Sequence, residues 1–155
     1  MIGGRGVNVL YVIFFHLPFI LIILISVFTD LKNRLIYDKV TLPGMIYFLV
    51  LHAIVDLSSL HHYIIAGLLL GGIHLFLAII SKGQIGGGDI KLFALIGFAM
   101  GWEAGFSIFI FTYLIAGLWA IPLFLYLKLS RKQATSHMVP LAPFIALGVL
   151  MFYIT

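Results

Sequence analysis

Six long apolar runs constrain the fold of this chain more than any other feature of its sequence. They cover Val7–Thr29, Val40–Leu57, Tyr63–Ile80, Ile90–Trp102, Gly105–Leu127 and Met138–Ile154, and short polar or glycine-rich connectors separate them. A membrane-spanning helix needs about 20 mainly apolar residues. We therefore predict an all-α, polytopic integral membrane protein with about six transmembrane helices, which form a single membrane domain over residues 1–155.

The composition excludes several other classes of protein. Apolar residues make up 63% of the chain and charged residues 9%, against about 45–50% and 25% in soluble domains. The net charge of +4 is spread along the chain, which argues against a nucleic-acid-binding surface. Because there is no cysteine, disulfides, thiolate metal sites and a cysteine nucleophile are ruled out.

The distribution of lysine and arginine predicts the orientation in the membrane. Eight of the nine cations fall in the first, third and fifth connectors, and only Arg5 falls on the other side. The eight are Lys32, Arg34, Lys39, Lys82, Lys91, Lys128, Arg131 and Lys132. Since positively charged short loops stay in the cytoplasm, we expect both termini outside and these connectors inside.

This topology sorts the five carboxylates. Asp30, Asp38 and Asp89 fall on the cytoplasmic side, and Asp56 and Glu103 on the outer side. A helix that starts at Asp89 rises only about 20 Å before the outer interface, less than the roughly 30 Å hydrocarbon core. We therefore expect Asp89 below the cytoplasmic surface, in a water-filled cavity. An acid at that depth is a candidate functional residue.

Two polar signals on the cytoplasmic side suggest one chemistry. Gly86, Gly87 and Gly88 precede Asp89, and Asp30 ends the first apolar run. Each signal alone is typical of an ordinary loop, and an aspartate there can simply cap a helix. Together they predict two carboxyl groups that share one proton, one acting as base and the other as acid. Such a pair hydrolyses peptides without a metal or cofactor.

These segments resemble the prepilin peptidases, also called type IV leader peptidases, which are aspartic membrane proteases. The segment from Gly86 to Lys91 matches their G-x-G-D-x-K motif, and the segment from Asp30 to Asp38 is similar to D-x-x-x-x-x-I-P-[ND]. Residues 140–144 resemble their P-x-x-P-F pattern. With six apolar runs, the resemblance covers nearly the whole chain.

The resemblance implies a function and assigns residues to it. Asp30 and Asp89 are then the catalytic pair, and a further set of residues binds substrate or shapes the site: Gly86, Gly87, Gly88 and Lys91. The partner is a membrane-inserted type IV pilin-like preprotein, cleaved after a glycine at the end of its short basic leader. The enzyme lies in a prokaryotic plasma membrane with its site facing the cytoplasm. No cofactor, metal or nucleic acid is implied.

Two features depart from the family pattern. Tyr37 stands where the family has proline, which leaves Asp38 as an alternative first aspartate. Larger bacterial members carry an N-terminal segment with paired cysteines that is linked to N-methylation of the cleaved pilin. This sequence has no such segment, so methyl transfer is not expected of it.

Two rival functions use the same carboxylates. Tyr37-Asp38 with the glycine-aspartate run also matches the YD and GxGD signatures of signal-peptide-peptidase-like and presenilin-like proteases. A small proton-coupled transporter is the rival from another class, because paired membrane carboxylates can relay protons.

Histidines and glycines elsewhere favour structural roles. The six histidines match no compact zinc motif, so we predict helix contacts for them. Small residues at four-residue intervals let membrane helices pack closely, and five glycines follow this pattern: Gly67, Gly71, Gly97, Gly101 and Gly105. The exposed backbone at Gly87 could also pair with an extended substrate as an added strand.

Overall fold

A computed structural model describes residues 9–82, 85–129 and 140–155, which form five helices joined by short connectors. The helices are α1 (Val9–Asn33), α2 (Asp38–Val55), α3 (Leu60–Ile80), α4 (Gly87–Leu129) and α5 (Ala142–Ile154). The described ranges contain no β-strand, so the predicted all-α class is confirmed.

The helices follow the apolar runs closely. α1, α2, α3 and α5 match the first, second, third and sixth runs to within a few residues, and the fourth and fifth runs both fall within α4. Arg5, Arg131 and Lys132 lie outside the described residues, as do the predicted starts of the first and last runs at Val7 and Met138.

α4 reverses its direction at Gly101. This residue has φ 79° and ψ −175°, a conformation that is essentially restricted to glycine. The rings of Phe93 and Phe109 lie 6.0 Å apart, whereas one straight helix would separate these residues by about 24 Å. Residues 87–100 and 102–129 are therefore two antiparallel segments. Gly101 makes this turn, and so differs from the glycines that serve close packing.

Other glycines bring α3 and α4 into close contact. A Cβ atom on Gly97 would lie 2.5 Å from the Ala66 carbonyl oxygen and 2.6 Å from the Gly67 Cα atom. One on Gly71 would lie 2.9 Å from the Ala94 Cβ atom. The predicted close packing is therefore present against backbone at Gly97 and against the Ala94 side chain at Gly71.

The remaining helices pack around one apolar core. Phe19 of α1, Phe48 of α2, Ile96 of α4 and Ile145 of α5 are all fully buried within it. The core joins the first two helices to the last one through α4. It also fixes where α1, α4 and α5 end relative to one another.

The outer surface of the helices is strongly apolar. Phe28, Ile54 and Ile79 are 65%, 77% and 67% exposed, which suits contact with lipid rather than water. By length and composition, α1 to α4 are long and apolar enough to cross a membrane, and α5 is a shorter apolar helix. Among the described residues there are thus four candidate spans. The six crossings and the outside location of the termini stay predictions.

Candidate active site

Asp30 lies in the last turn of α1 and is almost completely buried. Its Oδ2 atom accepts a hydrogen bond from the backbone N–H of Ala142, at 3.0 Å. Ala142 begins α5, where the first N–H groups have no partner in their own helix. Leu141, the residue before the helix, makes no capping hydrogen bond with its side chain. The Asp30 carboxyl group therefore caps the N-terminus of α5, although Asp30 itself lies in α1.

Asp89 lies in the first turn of α4, and its backbone N–H donates to the Gly86 carbonyl oxygen at 3.1 Å. Asp30 and Asp89 line one cavity of about 250 Å³ and interact electrostatically. The other lining residues are Arg34, Leu35, Ile36, Gly86, Gly87 and Gly88. The structure thus brings together the two carboxyl groups that the sequence paired, with three glycines at their cavity.

The glycines before Asp89 have different surroundings. A Cβ atom on Gly88 would lie 2.7 Å from the Ile36 Cβ atom and 3.3 Å from the Ile36 backbone nitrogen. A Cβ atom on Gly87 would meet nothing within 4 Å. Gly88 therefore lets the start of α4 approach the connector between α1 and α2. Gly87 leaves one side of the cavity open.

Asp38 and Lys91 form an ion pair beside the cavity. The Lys91 Nζ atom lies 2.5 Å from the Asp38 Oδ1 atom, and both side chains are partly exposed. They line an open groove of about 790 Å³ that shares Leu35, Ile36, Gly87 and Gly88 with the cavity. Asp38, the alternative first aspartate, is thus not in the cavity. Lys91 contacts Asp38, so it links α2 to α4.

Two contributors to the cavity carry little signal in the sequence. The Ala142 N–H is a backbone group, and only the resemblance of residues 140–144 to a family pattern draws attention to its surroundings. In the sequence, Arg34 indicates only the orientation of the chain in the membrane, whereas in the structure it lines the cavity. It follows the end of α1 at Asn33 and has a φ of 53°, so helical spacing from Asp30 does not predict where its side chain lies.

The described histidines do not assemble a metal site. Across residues 9–82, 85–129 and 140–155, no three histidine, aspartate or glutamate side chains are placed to hold an ion. His52 instead contacts the Ala99 carbonyl oxygen at 2.9 Å and stacks on Tyr63. The ionisable side chains among the residues that line the cavity are those of Asp30, Asp89 and Arg34.

Comparisons with known proteins identify a family that this chain resembles over most of its length. The model of the type IV leader peptidase family matches residues 17–121, which include Asp30 and Asp89. The "Prepilin leader peptidase/N-methyltransferase" of Bacillus subtilis (strain 168) is 36% identical over 140 residues, which cover 88% of this chain and 53% of the Bacillus protein. The chain thus spans about half the length of this curated relative. No solved structure matches the present chain.

Proposed function

The chain belongs to the type IV leader peptidase family, and from this premise we propose that it is an aspartic endopeptidase that cleaves the leader from a type IV pilin-like preprotein. The observation that carries the proposal is the cavity of about 250 Å³ that Asp30 and Asp89 line together. Two carboxyl groups at one small cavity provide an acid and a base for peptide hydrolysis.

The proposed reaction needs one proton shared between Asp30 and Asp89. The ionised carboxylate takes a proton from water while the water oxygen bonds to the scissile carbonyl carbon, and the protonated carboxyl donates its proton to the carbonyl oxygen. When the tetrahedral intermediate collapses, the C–N bond breaks and the leaving amine takes the proton that the first carboxylate removed from water. The second carboxylate takes back a hydroxyl proton as the carbonyl group re-forms, which restores the starting state. Because each role needs a different protonation state, we expect a bell-shaped dependence of rate on pH.

The groove beside the cavity is the proposed binding site for the residues next to the scissile bond. It is open, has a volume of about 790 Å³, and shares the Gly87–Gly88 backbone with the cavity. α4 begins at Gly87, so the N–H groups of Gly87 and Gly88 have no acceptor within the helix, whereas that of Asp89 donates to the Gly86 carbonyl oxygen. We propose that the Gly87 and Gly88 N–H groups bind carbonyl groups of an extended leader segment. This is consistent with the pairing of the glycine backbone and an extended substrate that the sequence suggests.

The proposed site faces the cytoplasm of a prokaryotic plasma membrane. Lys32, Arg34, Lys39, Lys82 and Lys91 all lie at or near the helix ends that hold Asp30 and Asp89. Cations in short loops favour the cytoplasmic side. A pilin-like preprotein inserted in the same bilayer would present the junction between its leader and its apolar helix at this level.

The test is cleavage of a pilin-like preprotein by detergent-solubilised protein, followed as a mobility shift on a gel. We expect Asp30→Asn and Asp89→Asn each to lower the cleavage rate by at least about 10²-fold, the usual contribution of an acid or base. Asparagine at position 30 keeps an oxygen that can accept the Ala142 N–H. Loss of activity would therefore not reflect loss of the α5 cap.

Asp38→Asn is the matched control, because Asp38 is an aspartate of the same segment that lies outside the cavity. Because Asp38 lines the adjoining groove, we expect Asp38→Asn to keep most of the wild-type kcat, with any loss of cleavage appearing as a higher KM. If Asp38→Asn abolishes cleavage and Asp30→Asn does not, the signal-peptide-peptidase-like alternative is favoured. If both cavity variants cleave normally, the protease proposal fails, and proton transport in vesicles becomes the next measurement.

A further inference from the structure

Two buried polar groups near Asp89 have no partner among the described residues. They are the Nε2 atom of His74 and the hydroxyl oxygen of Tyr113. His74 is fully buried, and its Nδ1 atom lies 2.9 Å from the Leu70 carbonyl oxygen. Nδ1 must therefore carry the proton, which leaves Nε2 as an acceptor in the neutral ring. A tyrosine hydroxyl can both donate and accept.

The rings that carry these two groups lie close to each other and to Phe93, one helical turn after Asp89. The His74 ring stacks on Phe93 at 3.6 Å, and the Tyr113 ring is 5.7 Å from His74 and 6.3 Å from Phe93. Phe93 follows Asp89 by one helical turn, so the two share a face of α4. The reversal at Gly101 also places residue 113 opposite residue 89. The Asp89 carboxyl interacts electrostatically with the Tyr113 hydroxyl.

Neither His74 nor Tyr113 is among the residues that line the cavity with Asp89. An unpaired buried donor or acceptor is costly, and proteins commonly satisfy such groups with an internal water. One water can accept the Tyr113 O–H bond and donate to both His74 Nε2 and the Asp89 carboxyl. Its three bonds are typical of a buried water.

We propose that Tyr113 is a positioning residue for Asp89, acting through a buried water that His74 also holds. This inference rests on the proposed function and deepens it, because it assigns a role to two buried polar side chains that the hydrolysis itself does not use. The network fixes the direction of the Asp89 carboxyl toward the scissile bond. It does not touch the substrate.

The kinetic test uses Tyr113→Phe, which removes one oxygen and keeps the ring packed on Phe93. We expect kcat to fall about tenfold, as for other groups coupled through a hydrogen-bond network, with KM unchanged. Tyr153→Phe is the matched control, because its hydroxyl bonds His16 far from the cavity. The kcat of this control variant should stay within about twofold of the wild-type value. Wild-type kcat in Tyr113→Phe would overturn the proposal.

His74→Phe tests the second member of the network, since phenylalanine can keep the stack on Phe93. We expect it to lower kcat as Tyr113→Phe does, and the double variant to be no slower than either single one. Effects that multiply in the double variant would contradict a shared water. Normal thermal unfolding of each variant would show that the loss is not one of folding.

A readout independent of cleavage separates this inference from the proposed function. The ¹⁵N resonance of His74 Nε2, assigned by its loss in His74→Phe, should move in both Tyr113→Phe and Asp89→Asn and stay fixed in Tyr153→Phe. If it moves as expected but the wild type cleaves no pilin-like preprotein, the network stands and the proposed function fails. If it does not move, the network is wrong whatever the cleavage shows.

Discussion

Gly88 and Gly87 are neighbours in sequence but have opposite surroundings. Gly88 lies against Ile36, which is buried, whereas Gly87 faces open space at the cavity. Only Gly88 is therefore required for the fold at this point. Gly87 is available to a substrate.

The first prediction separates these two roles. Gly88→Ala should lower the free energy of unfolding by about 1–3 kcal/mol, as expected for overpacking, and cleavage should fall with it. Gly87→Val should leave thermal unfolding unchanged and raise KM, because its side chain enters the space proposed for the leader. Thermal unfolding in detergent and the gel assay measure both. Equal KM values for Gly87→Val and wild type would exclude contact between Gly87 and the substrate.

At the residue scale, the sequence could predict the two aspartates of the cavity but not all their contacts. Asp30 and Asp89 followed from motif and charge distribution. The Ala142 N–H could not be predicted, because a backbone group carries no residue signal and lies 112 positions from Asp30. The ion pair between Asp38 and Lys91 depends on how α2 and α4 approach each other, which helical periodicity does not determine. The catalytic roles themselves stay proposals.

At the scale of elements, backbone contact between α3 and α4 depends on glycine. A side chain on Gly97 would meet the Ala66 carbonyl oxygen, which belongs to backbone and cannot rotate away. Gly72 lies in the same α3 helix as Ala66, but a Cβ atom on Gly72 would meet nothing within 4 Å. The two glycines therefore offer a matched comparison.

The second prediction is that alanine substitutions at these two glycines change the free energy of unfolding in opposite directions. Gly97→Ala should destabilise the protein by about 1–3 kcal/mol through overpacking. Gly72→Ala should stabilise it by about 0.5–1 kcal/mol, because alanine loses less conformational freedom in a helix. Thermal unfolding in one detergent measures both. Destabilisation by both substitutions to the same extent would contradict the contact at Gly97.

The helices were easier to predict than the connections between them. The apolar runs located α1, α2, α3 and α5, because burial in lipid requires long apolar stretches. A chain reversal between the fourth and fifth apolar runs was predicted, but the turn was not assigned to Gly101, since a glycine within a helical pattern is as typical of close packing as of a turn. Its positive φ depends on the tertiary fold.

At the scale of the whole molecule, charge is distributed unequally between the two ends of the helices. The cations near Asp30 and Asp89 contrast with Asp56 and Glu103, which follow α2 and the Gly101 turn at the other end. The positive-inside rule relates this inequality to orientation. Because the chain contains no cysteine, the reactivity of single introduced cysteines can report the orientation of the protein in the membrane directly.

The third prediction uses two leucines in the connectors at either end of α2. Leu35 and Leu57 are 59% and 69% exposed. In intact cells, Leu57→Cys should react with a membrane-impermeant maleimide, and Leu35→Cys should react only after the membrane is permeabilised. The opposite pattern would place Asp30 and Asp89 on the outer side and contradict cleavage in the cytoplasm.

The hydrogen bond from the Ala142 N–H to Asp30 also joins two parts of the chain that are synthesised at different times. Its two partners lie 112 residues apart, which a ribosome needs about 6–20 s to cover at 5–20 residues per second. Both carboxyl groups are therefore synthesised before the helix that Asp30 caps. The nascent chain therefore carries Asp30 and Asp89 before it carries the backbone N–H group that holds Asp30 in place.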